Sequence, residues 1–154
     1  MPRHRQKRRN NQVKALSTRL KEKEEKILRL LERLTEESAK GTPIIVEGKN
    51  DIQTLRALAV KGKIISAKTG GRSLLDVISE VEKSGVQEVI LLLDFDRRGK
   101  EWTKRLKQNI EKAKIKPNLT FWTKLSGLVG KEVKDIEGLA TYMETLKRKI
   151  SDFT

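Results

Sequence analysis

Cysteine is absent from this chain of 154 residues, and histidine occurs once, as His4. No disulfide scaffold, cysteine zinc site or thiol nucleophile can be built without the first. A histidine-based triad is excluded with the second, because a lone imidazole in a basic terminal run is not held in fixed geometry. No apolar run approaches the ~18 residues that a membrane span requires. The first residues carry charge without an apolar stretch, so they do not read as a secretory signal. Aromatic side chains are sparse, with three Phe, two Trp and one Tyr. They are scattered and fall mostly on inferred core faces, so recognition of a nucleic-acid backbone is favoured over base stacking. These absences leave a soluble, cytoplasmic protein as the expectation.

Positive charge is what the chain has in excess, at +14. Residues 1–40 hold 13 basic and 6 acidic side chains, and residues 41–154 hold 22 and 15. Each part is therefore +7, although the first is about a third as long as the second. Arg3, Arg5, Lys7, Arg8 and Arg9 form the densest run, with no acid among them. Residues 1–11 are expected to be a disordered basic tail when free. A phosphate backbone is the natural partner, since neutralising it releases counterions.

An amphipathic helix is expected over residues 12–40. Val13, Leu16, Leu20, Ile27, Leu30 and Leu34 recur at heptad-like spacing, broken by Lys23. That stripe packs either on the rest of the chain or on a second copy, which makes dimerisation through this helix an option. Gly41 and Pro43 end it.

From residue 41 to 154 short apolar runs alternate with helical patterns. Strands are read at Ile44–Val46, Ile64–Ile65, Val89–Leu93 and Leu119–Trp122, each followed by a helix. Ser73-Leu74-Leu75-Asp76 opens one of these helices as a capping box. The last presents Ile136, Leu139, Met143, Leu146 and Ile150 on one face. Such alternation predicts an α/β fold with a mainly parallel four-stranded sheet flanked by helices. Right-handed crossovers then bring every strand's C-terminal end to one edge, where ligands bind.

Two strands end in acids at that edge. The first runs into Glu47-Gly48-Lys49-Asn50-Asp51, and the third into Asp94-Phe95-Asp96-Arg97-Arg98-Gly99. Asp94 and Asp96, two apart, point the same way on an extended strand end. Convergent carboxylates repel unless a cation lies between them, and hard oxygen donors suit Mg²⁺ or Mn²⁺. Arg97, Arg98 and Lys100 beside the pair, with Lys49, Lys68 and Arg72 on the other loops, fit a phosphate strand. Capping of the following helix is the alternative use for one of the aspartates. Asp135 and Glu137 either add acids to the site or simply favour a helix N-terminus.

The paired motifs resemble the Toprim domain, a Rossmann-like fold shared by topoisomerases, bacterial-type primases, overcoming-lysogenization-defect nucleases and the ribonuclease that matures 5S rRNA. The resemblance spans about residues 43–150, includes the Thr69-Gly70-Gly71 turn, and is strongest to small stand-alone archaeal-type proteins. It implies Glu47 as general acid/base and metal neighbour, Asp94 and Asp96 as Mg²⁺ ligands, and Asp51 with Gly48 as supports of the first loop.

Among Toprim chemistries, a topoisomerase needs a tyrosine nucleophile, and the lone Tyr142 sits within the last helix pattern. A primase of the bacterial type needs a zinc module that this cysteine-free chain cannot make. Haloacid-dehalogenase phosphatases and response-regulator receivers place their acid pair after the first strand, not the third. Phosphodiester hydrolysis of RNA or DNA, with RNA ahead, is the expected activity. The alternative is a non-catalytic RNA-binding or ribosome-associated protein on the same scaffold.

Overall fold

A computed structural model describes the backbone of residues 2–153 and their side chains except at residues 2–6 and 69. Arg3, Arg5 and His4 therefore lie, as side chains, outside the described residues. The first element is one long helix, α1 (Pro2–Ala39). The expected boundary near residue 11 is not seen. No glycine or proline interrupts residues 3–40, and Arg, Lys, Gln, Glu and Leu all propagate a helix well. Gly41, at φ +103°, turns the chain out of α1.

The remaining elements are β1 (Ile44–Val46), α2 (Lys49–Ala57), β2 (Ile64–Ser66), a 3₁₀ turn (Thr69–Gly71), α3 (Leu74–Lys83), β3 (Glu88–Leu91), α4 (Arg97–Lys112), β4 (Lys116–Asn118), α5 (Thr120–Val129) and α6 (Ile136–Asp152). The sheet is parallel throughout, in the order β2-β1-β3-β4. The α/β expectation is met. Its fourth strand is misplaced, however. β4 is Lys116-Pro117-Asn118, and Leu119–Trp122 instead leads into α5, where Phe121, Leu125 and Val129 are buried one turn apart. An edge strand tolerates Pro117 because its outer side has no neighbouring strand to receive an N–H.

Strand alternation divides the core in two. Ile44, Val46, Ile90 and Leu92 face a layer that includes Ile27, Leu30, Leu31 and Leu34 of α1, Leu55 of α2, Phe121 and Leu125 of α5, and Leu139 and Leu146 of α6. Ile45, Ile65, Val89, Leu91 and Leu93 face Val77, Ile78 and Val81 of α3, and Leu106 and Ile110 of α4. The C-terminal half of the α1 stripe is thus used within the chain. Lys23, which breaks that stripe, reaches Glu132 at 3.5 Å and lies 5.2 Å from the centre of the Tyr142 ring. At its end, α1 is tied down by Ser38, whose Oγ accepts from the N–H of Gly62 at 3.1 Å. A Cβ on Gly62 would collide with Ser38.

Candidate functional site

β1 and β3 are neighbours in the sheet, so their C-terminal ends open side by side. Glu47 follows β1 directly and is buried. Asp94 follows the buried Leu92-Leu93 extension of β3 and is half-buried. The two line a cavity of about 260 Å³ with Gly48, Lys49, Asn50, Asp51, Lys68, Asp135 and Glu137.

Each wall has a local cause. Asp51 sits in the first turn of α2, where its Oδ2 accepts from the Gly48 N–H at 3.1 Å. Its Oδ1 accepts from the Glu137 N–H at 3.3 Å, which pins the start of α6 to the start of α2. Asp135 is the N-cap of α6, with Oδ1 accepting from the Gly138 N–H. Asp135 and Glu137 form a helix N-terminus, and that terminus is one wall of the cavity.

The electrostatics are those of crowded acids. Glu47 Oε2 pairs with Lys68 Nζ at 2.8 Å. Among the described residues, the buried Glu47 Oε1 has no hydrogen-bond partner, a state that proteins seldom leave uncompensated. The Asp94 carboxyl is pushed up to about 8 by burial first, then by a hydrogen bond shared with Glu47 and by the negative charge of Glu47, Asp51 and Asp135. Burial likewise raises Asp51. A proton held between Asp94 and Glu47 satisfies the orphaned oxygen, and so does a hard cation placed there. The donor set of Glu47 and Asp94 fits a divalent ion in that sense. Among the described residues, no group of three or more acids or histidines converges closely enough to hold one ion by itself.

Asp96 does not line the cavity. It is the N-cap of α4, its Oδ1 accepting from the Gly99 N–H at 2.8 Å. Gly99 is required here, because a Cβ would fall on the Asp94 carbonyl. That close approach locks the first turn of α4 against the backbone of Asp94. The Asp94 carbonyl also accepts from Trp122 Nε1 at 3.2 Å, and the Phe95 N–H donates to the Lys134 carbonyl at 2.6 Å.

The expected phosphate-binding residues separate into groups. Lys49 and Lys68 line the cavity. Arg72 is held by Glu80 at 2.6 Å, and Arg97 pairs with Glu101 at 3.6 Å. Arg98 and Lys100 are exposed on α4, and Lys7, Arg8 and Arg9 are exposed along α1. Asn50 is the wall residue that sequence reasoning did not single out, although its place between Lys49 and Asp51 was a sufficient signal.

Comparison with known proteins identifies the family of this chain. A family model described as "Toprim domain" matches residues 42–122, from the strand before Glu47 to the start of α5. A UPF0292 protein of Methanosarcina acetivorans is 40% identical over 125 residues, covering 81% of this chain and 85% of its own. One from Methanocaldococcus jannaschii is 38% identical over 120 residues, covering 77% of this chain and 91% of its own. A solved structure, "putative protein from Aquifex aeolicus", superposes with a TM-score of 0.60 at 25% identity, covering 71% of this chain and 94% of that one. With more than half its length matched and relatives that are themselves small stand-alone proteins, the chain belongs to the Toprim domain family.

Proposed function

We propose that this protein is a cytoplasmic nuclease that hydrolyses phosphodiester bonds of nucleic acid, RNA ahead of DNA, with Mg²⁺ or Mn²⁺ held by Glu47 and Asp94. The observation that carries the proposal is the buried, partnerless Glu47 oxygen beside an Asp94 carboxyl raised to about 8, in a cavity that also presents Lys68 and Lys49. A bound divalent ion supplies charge to polarise a phosphoryl oxygen and to activate water. The protein's own residues do the remainder. Lys68 fixes one Glu47 oxygen, which leaves the other to take or give a proton. Lys49, exposed in the first turn of α2, meets the incoming strand together with the positive end of that helix. Asp51 holds the α2 and α6 termini in register around the cavity.

Asp94→Asn and Glu47→Gln are expected to lower metal-dependent cleavage of RNA and DNA panels by at least about 100-fold, the scale of a lost acid–base group. Nucleic-acid affinity should not fall, since no positive charge is removed. Protein that leaves both nucleic acids intact with either metal would refute the nuclease.

A second reading is a non-catalytic RNA-binding or ribosome-associated protein. It is favoured by the commitment of Asp96 to the α4 cap and by the exposed Lys7-Arg8-Arg9 run. It predicts binding that persists in Asp94→Ala without cleavage by the parent protein.

A further inference from the structure

Beside the carboxylate cavity lies a second one, of about 420 Å³, lined by Arg98, Glu101, Trp102, Lys104 and Arg105 of α4. Its size falls within the range of about 300–1,000 Å³ typical of small-ligand sites. Trp102 is half-buried, with part of its ring packed on the layer beneath α3 and α4. Arg98, Lys104 and Arg105 are exposed, and none is ion-paired among the described residues. The one acid, Glu101, is already engaged with Arg97. The cavity is therefore aromatic and positively charged.

One contact links it to the carboxylate site: Lys68, in the wall of that site, stands over the ring of Trp102, in the wall of this one. Lys68 Nζ lies 2.8 Å from Glu47 Oε2 and 5.7 Å from the centre of the Trp102 ring. A single ammonium group thus separates the candidate acid–base residue from the indole. Phosphate needs positive charge, and a base needs an aromatic surface; this cavity is lined by both, with Lys68 over the same indole.

We propose that Trp102, with Arg98, Lys104 and Arg105, forms a subsite for one unpaired nucleotide of the strand whose phosphodiester lies at Glu47 and Asp94. Its base stacks on the indole, and its flanking phosphates meet the three basic side chains. A paired base is already stacked within its duplex, so the subsite selects nucleic acid that is single-stranded at that point. The inference rests on the nucleic-acid reading of the carboxylate cavity and adds the substrate's form to it.

The test is equilibrium binding of the full chain, in EDTA, to single-stranded oligouridylate, oligothymidylate and a matched duplex. Trp102→Leu keeps apolar bulk against the core and removes the π-face, whereas Trp102→Phe keeps a ring. Trp102→Leu should weaken single-strand binding about 5- to 150-fold, the range of base–aromatic stacking. Trp102→Phe should restore most of it, with duplex binding and the salt dependence unchanged in both. The two single strands report whether ribose matters to the subsite. Equal single-strand affinity in Trp102→Leu and the parent would overturn the proposal. So would a parallel loss on single strand and duplex that Trp102→Phe does not repair. Because cleavage is not read, failure of the nuclease and failure of the subsite are separate outcomes.

Discussion

Two kinds of backbone position decide how single residues serve this fold. At Gly99 the side chain must be absent, since a Cβ would strike the Asp94 carbonyl. Gly99→Ala is therefore expected to cost about 3 kcal/mol through forced displacement of packed backbone. It should also lower any metal-dependent activity, because the displaced segment carries Asp94; thermal melting and cleavage assays read the two effects. Ala59 and Lys114 are the opposite case. They have φ of +71° and +61°, in the left-handed region that disfavours a Cβ. Each sits just past a helix end. The Val60 N–H bonds back to the Leu55 carbonyl and the Ala59 N–H to that of Arg56; Ile115 with Ile110, and Lys114 with Glu111, repeat the pattern. These are Schellman caps with a non-glycine residue where glycine is usual. Ala59→Gly and Lys114→Gly are expected to stabilise the protein by about 1 kcal/mol each. The gains should add, since the two caps close onto different core layers. Denaturant midpoints that fail to rise would show that these caps are relieved in another way.

At the scale of elements, α1 joins two jobs that its sequence already separates. Ile27 and Leu34 are fully buried, whereas Val13 and Leu16 are about 40% exposed, so the helix anchors by its second half and projects by its first. Leu34→Ala should cost about 2–5 kcal/mol. Replacing Lys7, Arg8 and Arg9 with Gln should leave the melting temperature nearly unchanged while weakening nucleic-acid binding. If all three meet phosphates, the slope of log K against log salt should fall by about 2–3. An unchanged slope would remove this segment from the interface. The same element shows what sequence patterning can and cannot locate. The stripe of Ile27, Leu30 and Leu34 was readable, but whether it packs within the chain depends on α5 and α6, far along the sequence. β1 and β3 were readable as β-branched and leucine-rich runs buried on both faces. β4 was not, because Lys116-Pro117-Asn118 is an edge strand with no such run, while the aromatics Phe121 and Trp122 imitated a strand at the start of α5. Glu47 and Asp94 were legible as acids at strand ends, but their meeting follows from β1 and β3 being adjacent, which alternation alone does not specify. The cap formed by Asp96 was readable from its glycine three residues on, a spacing that Asp135 and Gly138 repeat.

For the whole molecule, a charge of +14 surrounds one cavity whose walls carry Glu47, Asp51, Asp94, Asp135 and Glu137. The basic exterior draws a polyanion that the acidic cavity, by itself, repels. A proton settles that conflict, and on the proposed function a divalent cation competes with it for the same oxygens. This has a consequence for stability. The Asp94 carboxyl is raised from 3.8 to about 8, with burial the largest cause, and burial raises Asp51 as well. Between about pH 4 and pH 8 the native state therefore keeps a proton that the unfolded chain has released. The unfolded state binds fewer protons, so unfolding free energy falls as pH rises through that window. The metal-free protein should melt at progressively lower temperature from pH 5 to pH 9. Asp94→Asn, which cannot ionise, should flatten most of that decline. Mg²⁺ should raise the melting temperature of the parent protein, and more so at pH 8.5 than at pH 6, because its binding must displace the shared proton. A parent protein that grows more stable across the window, or an Asp94→Asn variant with the same pH slope and the same Mg²⁺ response, would show that the crowded carboxylates are not where proton and cation compete.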